Sequence, residues 1–277
     1  MRHDPGPAFR ALHRPGAPFI LANAWDAGSA RMLAALGAEA IATSSAAHAF
    51  TLGRPDGGGV SRDEALAHAA DLVAATPLPV SGDFENGFGD APETCAETVR
   101  LAAEAGLAGL SIEDTALPGD APYDFDLAVE RIRAAAAAAR ALPRDIVLVA
   151  RADGLMTGRY GLDEALRRLR AFDAAGADCL YAPLPPDMAD IATICRATTK
   201  PVNALAAGPH ARISRADFAA MGVARISIGS ALARATHRVI AEAAEAMFGA
   251  GDFSPLTRGL SGSAVDALLV KGGAAGR

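Results

Sequence analysis

Lysine is almost missing from this chain. Lys200 and Lys271 are the two present among 277 residues, against 24 arginines. Schiff-base chemistry, which needs a lysine amine at the reacting carbon, is left with very few candidates, and Lys200 sits just before an apolar strand, at the wrong end of it for chemistry. Cysteine is scarce too. Cys95, Cys179 and Cys195 are odd in number and unevenly spaced, which fits free thiols in a reducing compartment and excludes a disulfide framework. No uninterrupted apolar stretch is long enough to span a bilayer, since the Ala-rich 134–142 segment is short and bounded by arginines. The first 18 residues lack the apolar core of a signal peptide, so a cytoplasmic protein is expected. Basic runs are absent and the formal charge is -6, which argues against nucleic acid or an anionic membrane as partner. What remains is an ordinary soluble composition, 51% hydrophobic and 21% charged.

Apolar runs alternate with helical patterns along the whole chain. Strands are expected at Phe19 to Trp25, Ala40 to Ser45, a run from Leu78 through Glu85, Gly109 to Thr115, Asp145 to Asp153, Cys179 to Pro183, Pro201 to Leu205 and Arg225 to Gly229. Helices are expected between them: Asp26 is a plausible N-cap, Ser61-Arg62-Asp63-Glu64 is a capping box, and Pro92 suits a helix start. Ser44 to His48 and the Gly/Pro-rich Gly53 to Gly59 read as one long loop. A glycine follows a helix end and precedes a strand at Gly37, Gly106, Gly176 and Gly222, each suited to a left-handed cap. Eight strands apolar on both faces, alternating with helices, specify a parallel sheet covered by helices. At this length the reading is α/β, a (β/α)8 TIM-type barrel forming a single domain over 1–277, with a doubly wound sheet as the alternative. Residues 1–18 read as a lead-in, and about 250–277 as a helical tail.

Asp83 and Glu85 stand two residues apart at a strand end, so in a continuing strand they face the same way. Two like charges held that close call for a cation, and a hard oxygen-seeking ion such as Mg2+ is the usual answer; a solvated turn with two incidental acids is the alternative. Barrel enzymes hold their chemistry at the C-terminal ends of the strands. In this chain those ends carry Trp25, Ser44 and Ser45, Asp83 and Glu85, Glu113, Arg151 and Asp153, Tyr181, Asn203 and Gly229-Ser230. Acids on successive strands with an arginine nearby suggest a metal-bound anionic ligand gripped bidentately by the guanidinium.

Six segments together resemble the isocitrate lyase and phosphoenolpyruvate mutase superfamily: Asn23 to Arg31, Thr43 to Ala46, Leu52 to Gly57, Asp83 to Gly89, Ile112-Glu113-Asp114 and Ala150 to Asp153. The resemblance implies a modified barrel with Mg2+ or Mn2+ held by Asp83, and with Glu85, Glu113 and Asp56 contributing directly or through water. It implies a 2-oxo acid or dicarboxylate ligand, its carboxylate held by the backbone around Ser45 and Ala46 and by the Ser45 hydroxyl, with Arg151 on the ligand or its leaving group. Ser44, Trp25 and Asn203 complete the expected binding set, and Glu113 and Arg151 are expected in catalysis. It also implies a homodimer or homotetramer built by exchange of a C-terminal helix. The sequence departs from the family's lyases in lacking their Lys-Arg-Cys-Gly-His loop, and from its mutases in carrying Thr115 where they have lysine. Chemistry that needs only enolate stabilisation remains: decarboxylation of a β-carboxy-2-oxo acid, or retro-aldol cleavage of a 2-hydroxy acid. Tyr123 is also expected in catalysis; the general acid is left open among Tyr123 and Asp120, on the presumed lid, and Tyr181, His48 and His210. A phosphonomutase or hydrolase and a non-catalytic 2-oxo acid binder are the competing readings.

Overall fold

Gly106 and Gly176 end their helices at φ +97° and +105°, the left-handed cap that only glycine adopts without strain. They mark the repeat from which the architecture follows. The computed structural model describes residues 4–273. Within them eight parallel strands close into a barrel: β1 (Phe19–Asn23), β2 (Ala40–Ala42), β3 (Val80–Asp83), β4 (Gly109–Glu113), β5 (Val147–Arg151), β6 (Cys179–Tyr181), β7 (Val202–Leu205) and β8 (Arg225–Ser227). Each strand pairs with its sequence neighbours and β8 closes on β1. The TIM-type barrel is therefore present and the doubly wound sheet is excluded. Outward side chains such as Ile41, Leu110, Ile112 and Leu148 pack under the helices. Inward ones, among them Leu21, Val147, Val149 and Tyr181, fill the barrel.

The lead-in is more than a lead-in. Gly6–Leu12 is a helix, α1, which inserts Phe9 among the inward-facing residues Phe19, Val147 and Cys179. A Cβ on Gly109 would lie 2.7 Å from the Phe9 ring, so β4 needs glycine where the plug enters. Arg10 clamps α1 to the strand starts, donating to both Asp145 oxygens at 2.8 and 2.6 Å and to Asp178 at 2.7 Å. Met1 to His3, and the tail beyond residue 273, lie outside the described residues.

The remaining helices in chain order are α2 (Ala27–Ala35), α3 (Ser45–Thr51), α4 (Arg62–Ala75), α5 (Pro92–Glu104), α6 (Phe125–Ala141), α7 (Gly154–Thr157), α8 (Leu162–Ala175), α9 (Met188–Arg196), α10 (Arg215–Ala220), α11 (Ala231–Gly249) and α12 (Gly262–Gly272). Ser61 and Glu64 form the expected capping box on α4, and Asp26 caps α2. Two local expectations fail. Ser45–Thr51 is helical where a loop was expected, because Ser44 is extended and its hydroxyl caps the Ala47 N–H. The strand expected to run through Glu85 stops at Asp83, because Glu85 turns to φ +45°. In this single chain α12 is seated on its own α2, with the Arg31 carbonyl so close to Gly272 that a Cβ would sit 1.8 Å away. No helix among the described residues is long and apolar enough to cross a membrane.

Candidate active site

Register brings the charges together. Glu113 at the end of β4 pairs directly with Arg151 at the end of β5, and Asp83 ends β3 alongside Ser111 of β4. The Arg151 guanidinium grips Asp153 with two bonds, 3.2 and 2.7 Å, donates to Asp83 Oδ1 at 2.8 Å and meets Glu113 Oε2 at 3.2 Å. Its side chain is only 12% exposed. Three carboxylates around one buried cation hold the Arg151 pKa well above its ordinary value despite desolvation. Tyr181 lies under the guanidinium, 5.3 Å from its ring centroid.

Of these groups Asp83, Arg151 and Tyr181 line a cavity of about 150 Å3 at the mouth of the barrel, with Ser44, Ser45, Ala46 and Asp56 also in its wall, while Glu113 and Asp153 lie behind it. Asp83 is held in place by its neighbours. Its N–H donates to Thr43 Oγ1 at 2.7 Å, and its Oδ2 accepts from the Ser45 N–H at 3.0 Å and the Ser45 hydroxyl at 2.9 Å. The Ser45 donors assigned to a ligand carboxylate are thus bound to Asp83 in this structure, and Ser44 is the helix cap. Ala46, in the first turn of α3, remains on the cavity wall.

The acids crowd without chelating a common point. Burial and like charge raise the Asp56, Glu85 and Glu113 carboxyls above their ordinary range: Asp56 through desolvation and Asp83, Glu85 through desolvation and then Asp83 and Asp56, Glu113 through desolvation, Asp153 and Asp83. Yet no three His, Cys, Asp or Glu side chains among the described residues converge as a ready metal cage. Glu85 is a correction to the same-face reading. Its left-handed backbone ends the strand and its carboxylate accepts the Gly58 N–H at 3.1 Å, so it lines a neighbouring cleft and a small pocket shared with Asp83 but not the main Asp83 cavity. The donor set still suits a hard cation in being oxygen only. Mg2+ keeps several waters and needs only one or two protein carboxylates, so Asp83 as ligand with Asp56, the other acid on this cavity wall, acting through water fits these residues. A four-carboxylate inner shell does not.

Three expected residues lie elsewhere. Trp25 borders a separate groove with Asp26, Arg31 and His68, because the chain turns at Asp26 into α2, and its carbonyl faces His68 at 3.0 Å. Asn203 is 1% exposed and lies beneath the cavity, donating to Ser227 Oγ at 2.9 Å and accepting from Arg225 Nε at 2.8 Å. Tyr123 is buried against the turn after β3, where its hydroxyl donates to Asp90 at 2.6 Å and accepts from Asn86 at 2.9 Å. Burial and Asp90 push its pKa up to about 12, and it braces that turn instead of facing the cavity. Of the other acid candidates, His48 stacks on His68 at 3.8 Å, His210 lines a small cavity beside Asn203, Asp120 pairs with exposed Arg159, and Tyr181 alone is in the wall.

Sequence reasoning missed the support beneath Arg151. Asp114 is 3% exposed; it accepts from Asp153 N at 2.8 Å, Tyr160 OH at 2.7 Å and Arg168 Nη1 at 3.0 Å. Asp114 thereby fixes the backbone that presents Asp153 to Arg151. Its place after Glu113 was visible in the chain. Its partners, 46 and 54 residues on, carried no local signal.

A closed parallel barrel with carboxylates and an arginine gathered at the strand ends has its candidate site where barrel enzymes hold their chemistry. A phosphoenolpyruvate phosphomutase family model matches residues 9–248, and the chain belongs to that family, within the isocitrate lyase and phosphoenolpyruvate mutase superfamily. An uncharacterized protein of Mycobacterium tuberculosis is 33% identical over 95% of this chain and 96% of its own length. An oxaloacetate decarboxylase of Rhodopseudomonas palustris is 33% identical over 82% of this chain and 77% of its own. Among solved structures, a lyase/mutase candidate from Burkholderia cenocepacia J2315 superimposes with a TM-score of 0.90 at 50% identity, covering 95% of this chain and 94% of that one. A 2,3-dimethylmalate lyase reaches 0.85 at 26% identity, covering 97% and 95%.

Proposed function

We propose that the chain is a divalent-cation-dependent carbon–carbon lyase or decarboxylase acting on a small 2-oxo or 2-hydroxy carboxylic acid through an enolate. The observation that carries this reading is the Arg151 guanidinium, held by Asp83, Glu113 and Asp153 on the wall of a small cavity. A preorganised cation at that point stabilises negative charge as it develops, without reorganisation at the moment of reaction. A bound Mg2+ or Mn2+ would supply Lewis-acid polarisation of the 2-oxo group. Asp83 would hold the metal, Ser45 fixes the Asp83 rotamer, and Ala46 in α3 forms part of the cavity wall. Tyr181, whose pKa burial pushes up to about 12, stays protonated at neutral pH and is the hydroxyl placed to return a proton to the enolate carbon.

The relatives named above as a decarboxylase and a lyase support this reading. The family's mutase name keeps phosphonomutase chemistry as the second reading, and Thr115, buried where a mutase carries lysine, weighs against it. The reading extends to a homodimer or homotetramer, for which the exposed apolar side chains Val239, Ile240, Phe248, Phe253 and Leu256 on α11 and the segment after it offer a surface.

Pyruvate release from oxaloacetate with Mg2+ tests it. Wild type is expected to turn over, Asp83→Ala to lose about 10²–10³-fold in kcat, and Tyr181→Phe to lose about 10²-fold with KM little changed. Tight 2-oxo acid binding with no turnover would favour the binder instead.

A further inference from the structure

Four arginine side chains are sealed almost completely into this protein, and three of them are matched. Arg131 donates to the Asn86, Gly89 and Asp90 carbonyls, Arg168 to Asp114 and Glu164, and Arg151 to three carboxylates. Arg225 is the exception. It is 4% exposed, its Nε is held by Asn203 Oδ1 at 2.8 Å, and its Nη1 is buried with no hydrogen-bond partner among the described residues. A buried guanidinium left in that state costs free energy until an anion reaches it. Burial and the charge of Arg151 both press its pKa down, and Asp83 acts on it only at a distance.

The position of Arg225 makes that deficit a site. On β8 it points into the barrel and lines the same cavity as Asp83 and Arg151, together with Ser227 and Tyr181. Asn203 locks both neighbours, accepting from Arg225 and donating to Ser227 Oγ at 2.9 Å. That second bond leaves the Ser227 hydroxyl proton to be given elsewhere. A fixed fork of N–H donors beside the Ser227 hydroxyl, which Tyr181 also neighbours, at the inner end of a cavity, is the donor pattern that recognises an oxyanion.

We propose that Arg225 and Ser227 form a second anion-binding site at the inner end of the cavity, separate from the Asp83–Arg151 cluster at its mouth. Its occupant is an oxyanion, either the remote carboxylate of the ligand bound at the mouth or a free small anion. The first source rests on the function proposed above; the second does not.

Calorimetric titration of the whole protein with succinate, butyrate and inorganic phosphate tests the site in wild type, Arg225→Met and Arg225→Lys. If a second carboxylate is the occupant, wild type binds succinate about 10–100-fold more tightly than butyrate, the range of one charge-assisted hydrogen-bond pair. Arg225→Met then brings the two within about twofold, and Arg225→Lys keeps most of the preference. If a free anion is the occupant, wild type binds phosphate, Arg225→Met does not, and succinate and butyrate bind alike. Arg225→Met should also melt no lower than wild type in the absence of ligand, since an unpaired buried charge is removed. A wild type with neither succinate preference nor phosphate binding overturns the proposal, as does an Arg225→Met protein that keeps either one or melts well below wild type. Arg225-dependent succinate binding with no oxaloacetate turnover would sink the lyase reading alone. Turnover with a succinate preference unchanged in Arg225→Met would sink this site alone.

Discussion

Arg151→Met is expected to reduce kcat/KM for oxaloacetate by about 10³-fold, near the upper end for loss of one preorganised electrostatic contact in a water-poor site. The same change should lower stability, because Arg151 is the counter-ion of Asp83, Glu113 and Asp153. Removing one partner of a buried ion cluster typically costs about 3–5 kcal/mol. Arg151→Lys separates the two effects. It restores the charge, so most of the stability should return, but a single ammonium cannot span the two Asp153 oxygens and Asp83 as the planar fork does. Activity should therefore stay at least about tenfold below wild type. Steady-state kinetics and thermal melting on the three proteins read both quantities. An Arg151→Met enzyme within tenfold of wild type would remove the observation on which the proposed function stands.

Asp114→Ala has the largest expected structural effect outside the cavity. Asp114 is the shared acceptor for Tyr160, Arg168 and the Asp153 N–H, and its loss leaves the Arg168 guanidinium, 6% exposed, with Glu164 as its one remaining carboxylate partner. A loss of about 3–5 kcal/mol follows, seen as a melting point lower by roughly 6–10 °C for a chain of this size. Asp114 acts on catalysis as a positioning residue, through Asp153 and then Arg151. Removing a group that only orients a reacting one typically costs about 10–100-fold. The loss should fall on kcat, with KM for oxaloacetate within a few-fold, since the cavity wall itself is unchanged. A variant that melts lower but keeps full kcat would show that Asp114 supports the fold and does not aim Arg151.

Both predictions concern residues whose importance was unevenly visible in the chain. Arg151, Asp83 and Glu113 were legible because each closes an apolar strand, and a parallel barrel puts every strand end on one face. The eight β/α units were legible for a related reason: apolar runs, helix caps and the left-handed glycines at Gly106 and Gly176 are local signals. Three of the four misplaced site assignments failed where orientation depends on something other than strand position. Glu85 left the Asp83 face because its own backbone turns to φ +45°. Trp25 left with the turn into α2. Tyr123 was taken up by Asn86 and Asp90, residues 37 and 33 positions earlier in the chain. Arg225 escaped notice because it begins its strand, where spacing gives no reason to look for chemistry, and because its lack of a partner exists only once the barrel is closed.

By itself, the order of residues determined a closed parallel barrel and the ring of strand ends where acids and one arginine meet, since both follow from periodicity and short-range backbone preference, and its six matching segments carried the family resemblance. Only the tertiary structure decided which acids Arg151 engages, that α1 plugs the base of the barrel, and that one buried guanidinium inside it is left without a counter-charge. Side-chain direction past a strand end, and the pairing of charges many residues apart, are set by packing between elements, and no local stretch of sequence contains that information.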